Sequence, residues 1–537
     1  MPSRPGKTPS TAKSSSMPTR LLLAISALVA MLVAASASGE PYSPHVRTDY
    51  PRQLLWGDTH LHTRLSLDAR GFGVQLSPED AYRFARGETV NSTRAGPARL
   101  ARPLDFLAVS DHSDGLGVMD AIIDGEPWVL KDPSVMHWHE QFVKGGSAAA
   151  RATIDVIVAF ATNKAPETLR DQAFARRTWE AYIRSADLFN EPGRFTTLIG
   201  YEWTSTDAGN NLHRNVIYRG DAADAATLLP HTTERSLDPR DLWRWMADFE
   251  QASGSEVLAL AHNGNLSNGL MFPVETDPAT GEPFDAAYLE ERARWEPLYE
   301  ITQIKGDGES HPYLSPDDGF AGYDVLWDRS NLMRMPKQKE MLQYEYAREA
   351  LKNGLLLEAR HGVNPYRFGV IGSTDSHTGL STGSEDNYFG KHTGFEPDAQ
   401  RWEISVGQPD GDRTIGWEYL ASGYAAVWAT GNDRDSIFEA MKRREVYATT
   451  GPRIVLRVFA GWDFTAAELK APDFEAVGYG RGVPMGGQLA AASGSAAPTL
   501  MLAAMKDPLD GNLARLQVIK GWLDANGETH ERVYDVA

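Results

Sequence analysis

The chain has 537 residues, 42% of them apolar, 10% aromatic and 23% charged, with no cysteine and 14 histidines. That mix is globular, with room for about three domains or one large barrel with appendages, and it excludes disulfides, thiolate zinc sites and a cysteine nucleophile. The net charge of −19 argues against a nucleic-acid or anionic-membrane partner, because so acidic a body repels polyanions at long range, while a small anion can still bind at a local cationic site.

Residues 1–20 hold Arg4, Lys7, Lys13 and Arg20, residues 21–35 form a nearly unbroken apolar run, and Ala35-Ser36-Ala37 ends the segment without an acid in it. This reads as a secretory signal over 1–37, cleaved after Ala37, and implies a periplasmic or secreted protein. Its removal takes the charge to −23, four basic residues being lost. The run falls short of the ~20 residues of a spanning helix, so no stable membrane span is expected.

Further along, apolar runs at 54–56, 106–109, 195–199, 257–260, 298–304 and 368–371 alternate with helical stretches at 78–86, 169–188, 239–253, 337–353 and 434–444. Apolar runs without polar alternation fit strands buried on both faces, so the class is α/β with a parallel sheet. The first helix opens Ser77-Pro78-Glu79-Asp80, an N-cap, a proline at the first helical position and acids in the first turn. Residues 122–193 are too long for an ordinary βα connection and predict an inserted helical cap within a main domain over 38–450. Beyond Gly451-Pro452, β-prone runs at 454–459, 499–504 and 516–522 predict a β-rich appendage over 451–537.

Nearly every apolar run ends on an acid or a histidine. The endings are Asp58-Thr59-His60-Leu61-His62, Ser110-Asp111-His112, Gly200-Tyr201-Glu202, Ala261-His262-Asn263, Gly308-Glu309-Ser310-His311 and Ser373-Thr374-Asp375-Ser376-His377. If the strands are parallel, all these groups converge at one end of the sheet. An H-x-H pair at a bend aims two imidazoles at one point, and carboxylates complete a site for a hard-to-borderline cation. Packing alone does not explain six such clusters, since buried imidazoles are costly without charge compensation or hydrogen bonds.

These motifs resemble the polymerase and histidinol phosphatase (PHP) superfamily over most of 54–450. More narrowly, Trp56-Gly57-Asp58-Thr59-His60-Leu61-His62, Gln303-Ile304-Lys305-Gly306 and Gly482-Val483-Pro484-Met485-Gly486-Gly487 are similar to an exported bacterial branch known only as a domain of unknown function. The resemblance implies a distorted (β/α)7 barrel with two or three divalent ions at its C-terminal face. It implies one ion on His60, His62, Glu202 and Asp375, and a second on Glu202, His262 and either His311 or Glu309. A third would take His112, His377 and an acid that the family carries in a Ser-Asp-Gly run; here Ser66-Leu67-Asp68-Ala69 offsets it to Asp68. A His/carboxylate set without thiolate suits zinc, manganese or iron better than magnesium or calcium.

The implied function is an exported metal-dependent hydrolase, above all a phosphoesterase on a small anionic mono- or diester, with Glu202, Asp375 and His377 at the chemistry. Paired cations bring a shared water's pKa toward 7, which provides a bridging hydroxide. Another ester, sulfate, amide or glycosidic bond at the same site is the alternative, as is a non-catalytic metal-binding module. Arg214 and His213 in Gly209-Asn210-Asn211-Leu212-His213-Arg214-Asn215, together with Lys305, are candidate substrate contacts. Arg64 reads as a surface charge or a further cation at the mouth, Asn263 as an orienter of His262 or a turn cap, Trp243-Arg244-Trp245 as core, and His392 as a loop residue.

Overall fold

Strand side chains alternate between faces, so a run that is apolar throughout needs a hydrophobic layer on each side. A computed structural model describes residues 50–537 except 279, 324–328, 385–390, 392–399, 407–413, 420–422 and 492–496. The expected leader and His392 lie outside the described residues. The core strands are β1 (Gln53–Asp58), β2 (Phe106–Val109), β3 (Thr196–Trp203), β4 (Arg214–Tyr218), β5 (Val257–His262), β6 (Leu298–Gln303), β7 (Gly306–Asp307), β8 (Gly369–Gly372), β9 (Ala425–Ala429) and β10 (Val446–Ala448). Among the described residues they form one sheet in the order β7-β6-β5-β4-β3-β2-β1-β9-β10, with β8 also on β6.

The sheet is mixed, not wholly parallel. Pairs β1/β2, β2/β3, β5/β6 and β6/β8 are parallel, whereas β4 runs antiparallel to both neighbours and β9 antiparallel to β1. The reversal at β4 has a local cause: no crossover helix follows β3, and the chain doubles back through Ala208 and Gly209, both at positive φ. The sheet curls until β8, paired to β6, lies against the far edge. A Cβ at Gly372 would sit 2.9 Å from the Thr449 carbonyl and 3.1 Å from that of Tyr424.

Alternation along the strands separates two cores. Leu55, Phe106, Ala108, Leu198, Ile217, Leu258, Leu260, Leu298 and Ile371 fill the inside. Trp56, Leu107, Val109, Ile199, Tyr201 and Val216 face an outer layer of helices that supplies Tyr82, Phe84, Trp179, Trp243 and Phe249. The Trp243-Arg244-Trp245 expectation of core packing thus holds for both tryptophans, which are buried. The helices used below are α1 (Pro78–Ala85), α2 (Val118–Asp124), α3 (Pro133–Lys144), α4 (Gly146–Ala161), α5 (Gln172–Phe189), α6 (Pro239–Ser253), α7 (Ala347–His361) and α8 (Arg434–Lys442).

Local chemistry sets their ends. Ser77 caps α1 in a reciprocal box with Asp80, worth about 1 kcal/mol, and Asp238 caps α6 while Gly254 at φ 75° ends it. The helix expected over 337–353 instead breaks into a 3-10 turn, Lys339–Tyr344, and α7, because the buried Glu345 carboxylate pairs with Lys337 and accepts the Gly269 N–H. α8 lays Ile437, Phe438 and Met441 into the inner core, at the end away from the strand C-termini, where Arg434 donates to the Thr197 carbonyl at the start of β3, and so floors the curled sheet.

Val455–Gly461 pairs antiparallel with Gly482–Pro484 and Thr499–Met505, and Gln517–Leu523 pairs with Thr529–Asp535. Asp507 fastens this segment: its carboxylate accepts from Arg102 at 2.9 and 2.5 Å and from the Arg453 N–H at 2.7 Å. Among the described residues no helix is long and apolar enough to cross a membrane.

Candidate metal centre

The same alternation that fills the inner core with Leu198, Leu258, Leu260, Leu298 and Ile217 points Glu202, His262, Glu300, Asn215 and His213 inward at the top. β4 runs the other way, so its N-terminal end, where His213 sits, joins the C-terminal ends of β3 and β5. Past β1, His60 is held by Asp58, whose buried carboxylate accepts from the His60 and Thr374 N–H groups (3.0 and 3.1 Å) and from Ser381 Oγ (2.7 Å), and the His62 N–H donates to the Ser376 carbonyl (2.9 Å). Asp111 is a second brace, accepting from Thr63 N, Thr63 Oγ1 and Ser66 Oγ at 2.6 Å each; burial pushes it up to about 6, and these bonds restrain the rise.

Glu202 is the hub. Its Oε1 lies 2.7 Å from His213 Nδ1 and 3.0 Å from His262 Nε2; its Oε2 lies 2.8 Å from His112 Nδ1, 3.3 Å from His62 Nε2 and 3.6 Å from His60 Nε2. Burial raises the Glu202 carboxyl, but His112 and His213 outweigh it and hold the group well below the usual range. Oε2 has no hydrogen bond of ordinary geometry, although it is fully enclosed. Asp375 Oδ1 adds a carboxylate oxygen 3.4 Å from His60 Nε2 and 3.2 Å from His62 Nε2. To one side, Asp68 lies 3.4 Å from His112 Nε2 and 2.8 Å from His377 Nε2.

The protonation pattern tests whether cations fit. His60 Nδ1 faces both oxygens of Glu300 at 3.2 and 3.1 Å, so Nδ1 carries the proton. His62 Nδ1 meets Ser66 Oγ at 2.9 Å, and that hydroxyl already donates to Asp111, so here too Nδ1 is the donor. His62 Nε2 is then an acceptor, 3.0 Å from His60 Nε2. Burial, with His377 and His112 near, keeps His62 neutral well below its ordinary pKa, and burial brings His213 down to about 3 and His262 to about 4. Burial lowers His60 and His112 as well, but Glu300 and Glu202 outweigh it at His60, and Glu202 and Asp68 hold His112 up to about 10; imidazole nitrogens and ionised carboxylates aimed at common points are what divalent cations of borderline softness take, displacing such protons. The donor groups that converge within 4.8 Å are His60/His62/Glu202, Glu202/His213/His262, His60/His262/Glu300 and His62/His112/His377.

Of the residues expected from sequence, His60, His62, Asp68, His112, Glu202, His262, Asp375 and His377 come together. Two do not. His311 accepts the Tyr313 N–H at Nδ1 (3.0 Å) and stands against Tyr346, and Glu309 pairs with Arg348. The cause is β7, which turns back on β6 at Gly306 and leads the chain to α7, where Gly308 and Glu309 accept backbone bonds from Ala347 and Arg348. Arg214 is likewise corrected: one register step from His213, it points outward to a buried pair with Glu296 (3.0 Å), which also accepts from Trp243. His213, expected at substrate, takes the position on Glu202 that His311 was expected to fill.

Lys305, also expected at substrate, is buried against Asp375 Oδ2, and Lys391 stands 3.0 Å from Asp375 Oδ1 and 2.8 Å from His377 Nδ1. Burial brings Lys391 down to about 8. Asn263 accepts from Gln303, which also donates to Asp375 (2.7 Å each), so it steadies Asp375 through Gln303. Arg64 pairs with Asp120 near the surface. Nothing in the motifs above singles out Glu300 or Lys391; the readable signal for Glu300 is an acid two residues from Leu298 in a buried strand.

A curled α/β sheet with a buried, thiolate-free donor set at one mouth defines an α/β protein with side chains placed so that they could hold divalent metal ions. The model of the family described as Protein of unknown function (DUF3604) matches residues 49–537, and the chain belongs to that family. The expected kinship with a branch of unknown function is thereby met. A solved structure from Bacteroides vulgatus, a two-domain protein described as containing a predicted PHP-like metal-dependent phosphoesterase, aligns over 92% of this chain and 100% of its own at 10% identity and a TM-score of 0.31. No curated protein matches the chain.

Proposed function

We propose that the protein is a metal-dependent hydrolase that cleaves small phosphate mono- or diesters, acting outside the cytoplasm as its leader suggests. The reading rests on Glu202, whose two oxygens face different sets of imidazoles, His213 and His262 on one side and His112, His62 and His60 on the other, the arrangement of a carboxylate shared between cations. His60, His62, Glu202 and Asp375 would hold one ion, Glu202, His213 and His262 a second, and Asp68, His112 and His377 a third, the metals being zinc, manganese or iron. Divalent ions held there supply Lewis acidity and acidify water at neutral pH. The chain's own part is to fix the donors through Asp58, Asp111 and Glu300, to exclude bulk water, and to offer the Lys305 and Lys391 N–H groups to the ester's anionic oxygens.

Metal analysis with a panel of p-nitrophenyl phosphate, bis-p-nitrophenyl phosphate and p-nitrophenyl sulfate tests this. Bound divalent metal, and phosphoester turnover that a chelator abolishes and added metal restores, is the expected result. Metal-loaded protein that hydrolyses neither phosphoester overturns the phosphoesterase reading.

A further inference from the structure

Helix α4 is apolar on two faces. Ala152, Thr153, Val156 and Phe160 are buried, the last two among Val118, Ile122 and Val129. Ile154, Ile157, Val158 and Ala161 recur at i, i+3, i+4 and i+7 on another side, yet Ile154 is 49% and Val158 45% exposed. A helix face that meets only water is ordinarily polar. This stripe lines a cavity of about 890 Å³, whose wall also includes Leu332 and Met333, exposed by 40% and 61%. Met333 is set there by contact with Gly209, where a Cβ would meet its side chain at 2.6 Å.

The same cavity reaches Asp68, His112, Glu202 and His377 together with Lys305 and Lys391. It is therefore amphipathic, with two lysine amino groups and the metal donors in one part and exposed aliphatic side chains in another. Its volume lies within the ~300–1,000 Å³ typical of pockets that take drug-sized molecules, which is more than a hydrophilic fragment of a few atoms needs. Contiguous aliphatic surface left open beside a polar centre marks a place where an apolar group is received.

We infer that the substrate is a phosphate monoester of an apolar alcohol. Its phosphoryl group lies at Lys305 and Lys391 over the metal donors, and its alkyl or aryl group lies along Ile154, Ile157 and Val158 and against Leu332 and Met333. The assignment rests on the phosphoesterase reading. Water adds to phosphorus, the bond from phosphorus to the alcohol oxygen breaks, and the alcohol leaves with a proton from that water, giving free alcohol and inorganic phosphate.

Two series on the full-length, metal-loaded protein test it: kcat/KM for ethyl, butyl and hexyl phosphate, whose leaving alcohols are of similar acidity, and calorimetric Kd for the matching alkyl phosphonates, which cannot be hydrolysed. A fully buried methylene is worth about fourfold, so partial burial of four predicts at least about a tenfold gain from ethyl to hexyl in both. The I154N/V158N double variant, altered at exposed positions, should shrink the hexyl-to-ethyl ratio by at least about threefold. Equal values along both series overturn the inference and leave the phosphoesterase reading standing. Hexylphosphonate bound more tightly than ethylphosphonate, with no phosphate ester turned over, supports the apolar wall and overturns the phosphoesterase reading. Binding of neither phosphonate overturns both.

Discussion

Glu300 gives the sharpest test of the donor geometry, because it touches a donor residue and not the cavity. Its carboxylate is buried to 1% exposure and holds the His60 Nδ1 proton from both oxygens. Burial raises the Glu300 carboxyl, but His60 outweighs that and keeps it below the ordinary value, so the charged form supports the ring. Partners of this kind, one bond removed from the metal, typically change affinity by ~10–100-fold, or about 1.4–2.8 kcal/mol. Glu300→Gln retains an acceptor but loses the charge and belongs near the lower figure. Glu300→Leu has similar bulk and no acceptor, frees the His60 tautomer, strands a buried N–H at a cost of ~1–3 kcal/mol, and belongs near the upper figure. The assay is competition for zinc or manganese against a chromogenic chelator, with thermal unfolding in excess chelator as the control for fold. If E300L folds normally and binds metal within about twofold of the unaltered chain, His60 is not held for a metal and the donor argument fails.

Glu202→Gln, nearly the same size, should lower phosphoester kcat/KM by more than about 100-fold and reduce bound metal; unchanged metal content and turnover would count against the hub role. Asp507 has its carboxyl brought down to about 2: burial opposes the shift, and Arg102 and the backbone N–H groups outweigh it. A carboxyl depressed on folding stabilises above its ordinary pKa and loses that contribution as pH falls from about 4 through about 2, so D507N should cost about 2 kcal/mol at pH 7 and almost nothing at pH 2 in urea unfolding. A cost independent of pH would refute that account. Gly372→Ala puts a methyl 2.9 Å from the Thr449 carbonyl and 3.0 Å from Thr302 Cγ2, and should lower stability by about 1–3 kcal/mol in the same assay.

The six apolar runs read from the chain all became core strands, because burial on both faces leaves a pattern that needs no partner to be seen. β4 was hidden: it opens on Arg214-Asn215, and Val216-Ile217-Tyr218 is too short a run to announce a strand. With β4 unseen, no alternation separates His213 from Arg214, and the sequence offers both as substrate contacts. Glu300 lay inside a run scored for its apolar neighbours, and Lys391 reaches the site from a Gly/Ser-rich loop far along the chain. His311 failed for another reason. The turn at Gly306 reverses the chain, so a residue close in sequence to the site leads away from it.

β1 takes β2 as one neighbour and β9 as the other, and the floor of the curled sheet is α8, residues 434–442. During synthesis some 370 residues separate Leu54 from its partner Trp428, so the first strand waits with one edge unpaired while most of the protein is made. Pairing across so long a span is slow, and open apolar edges recruit other chains in the interval. Chains stopped before residue 425 should therefore aggregate, and refolding of the intact protein should be limited by a late step in which β9 docks and α8 seals the interior.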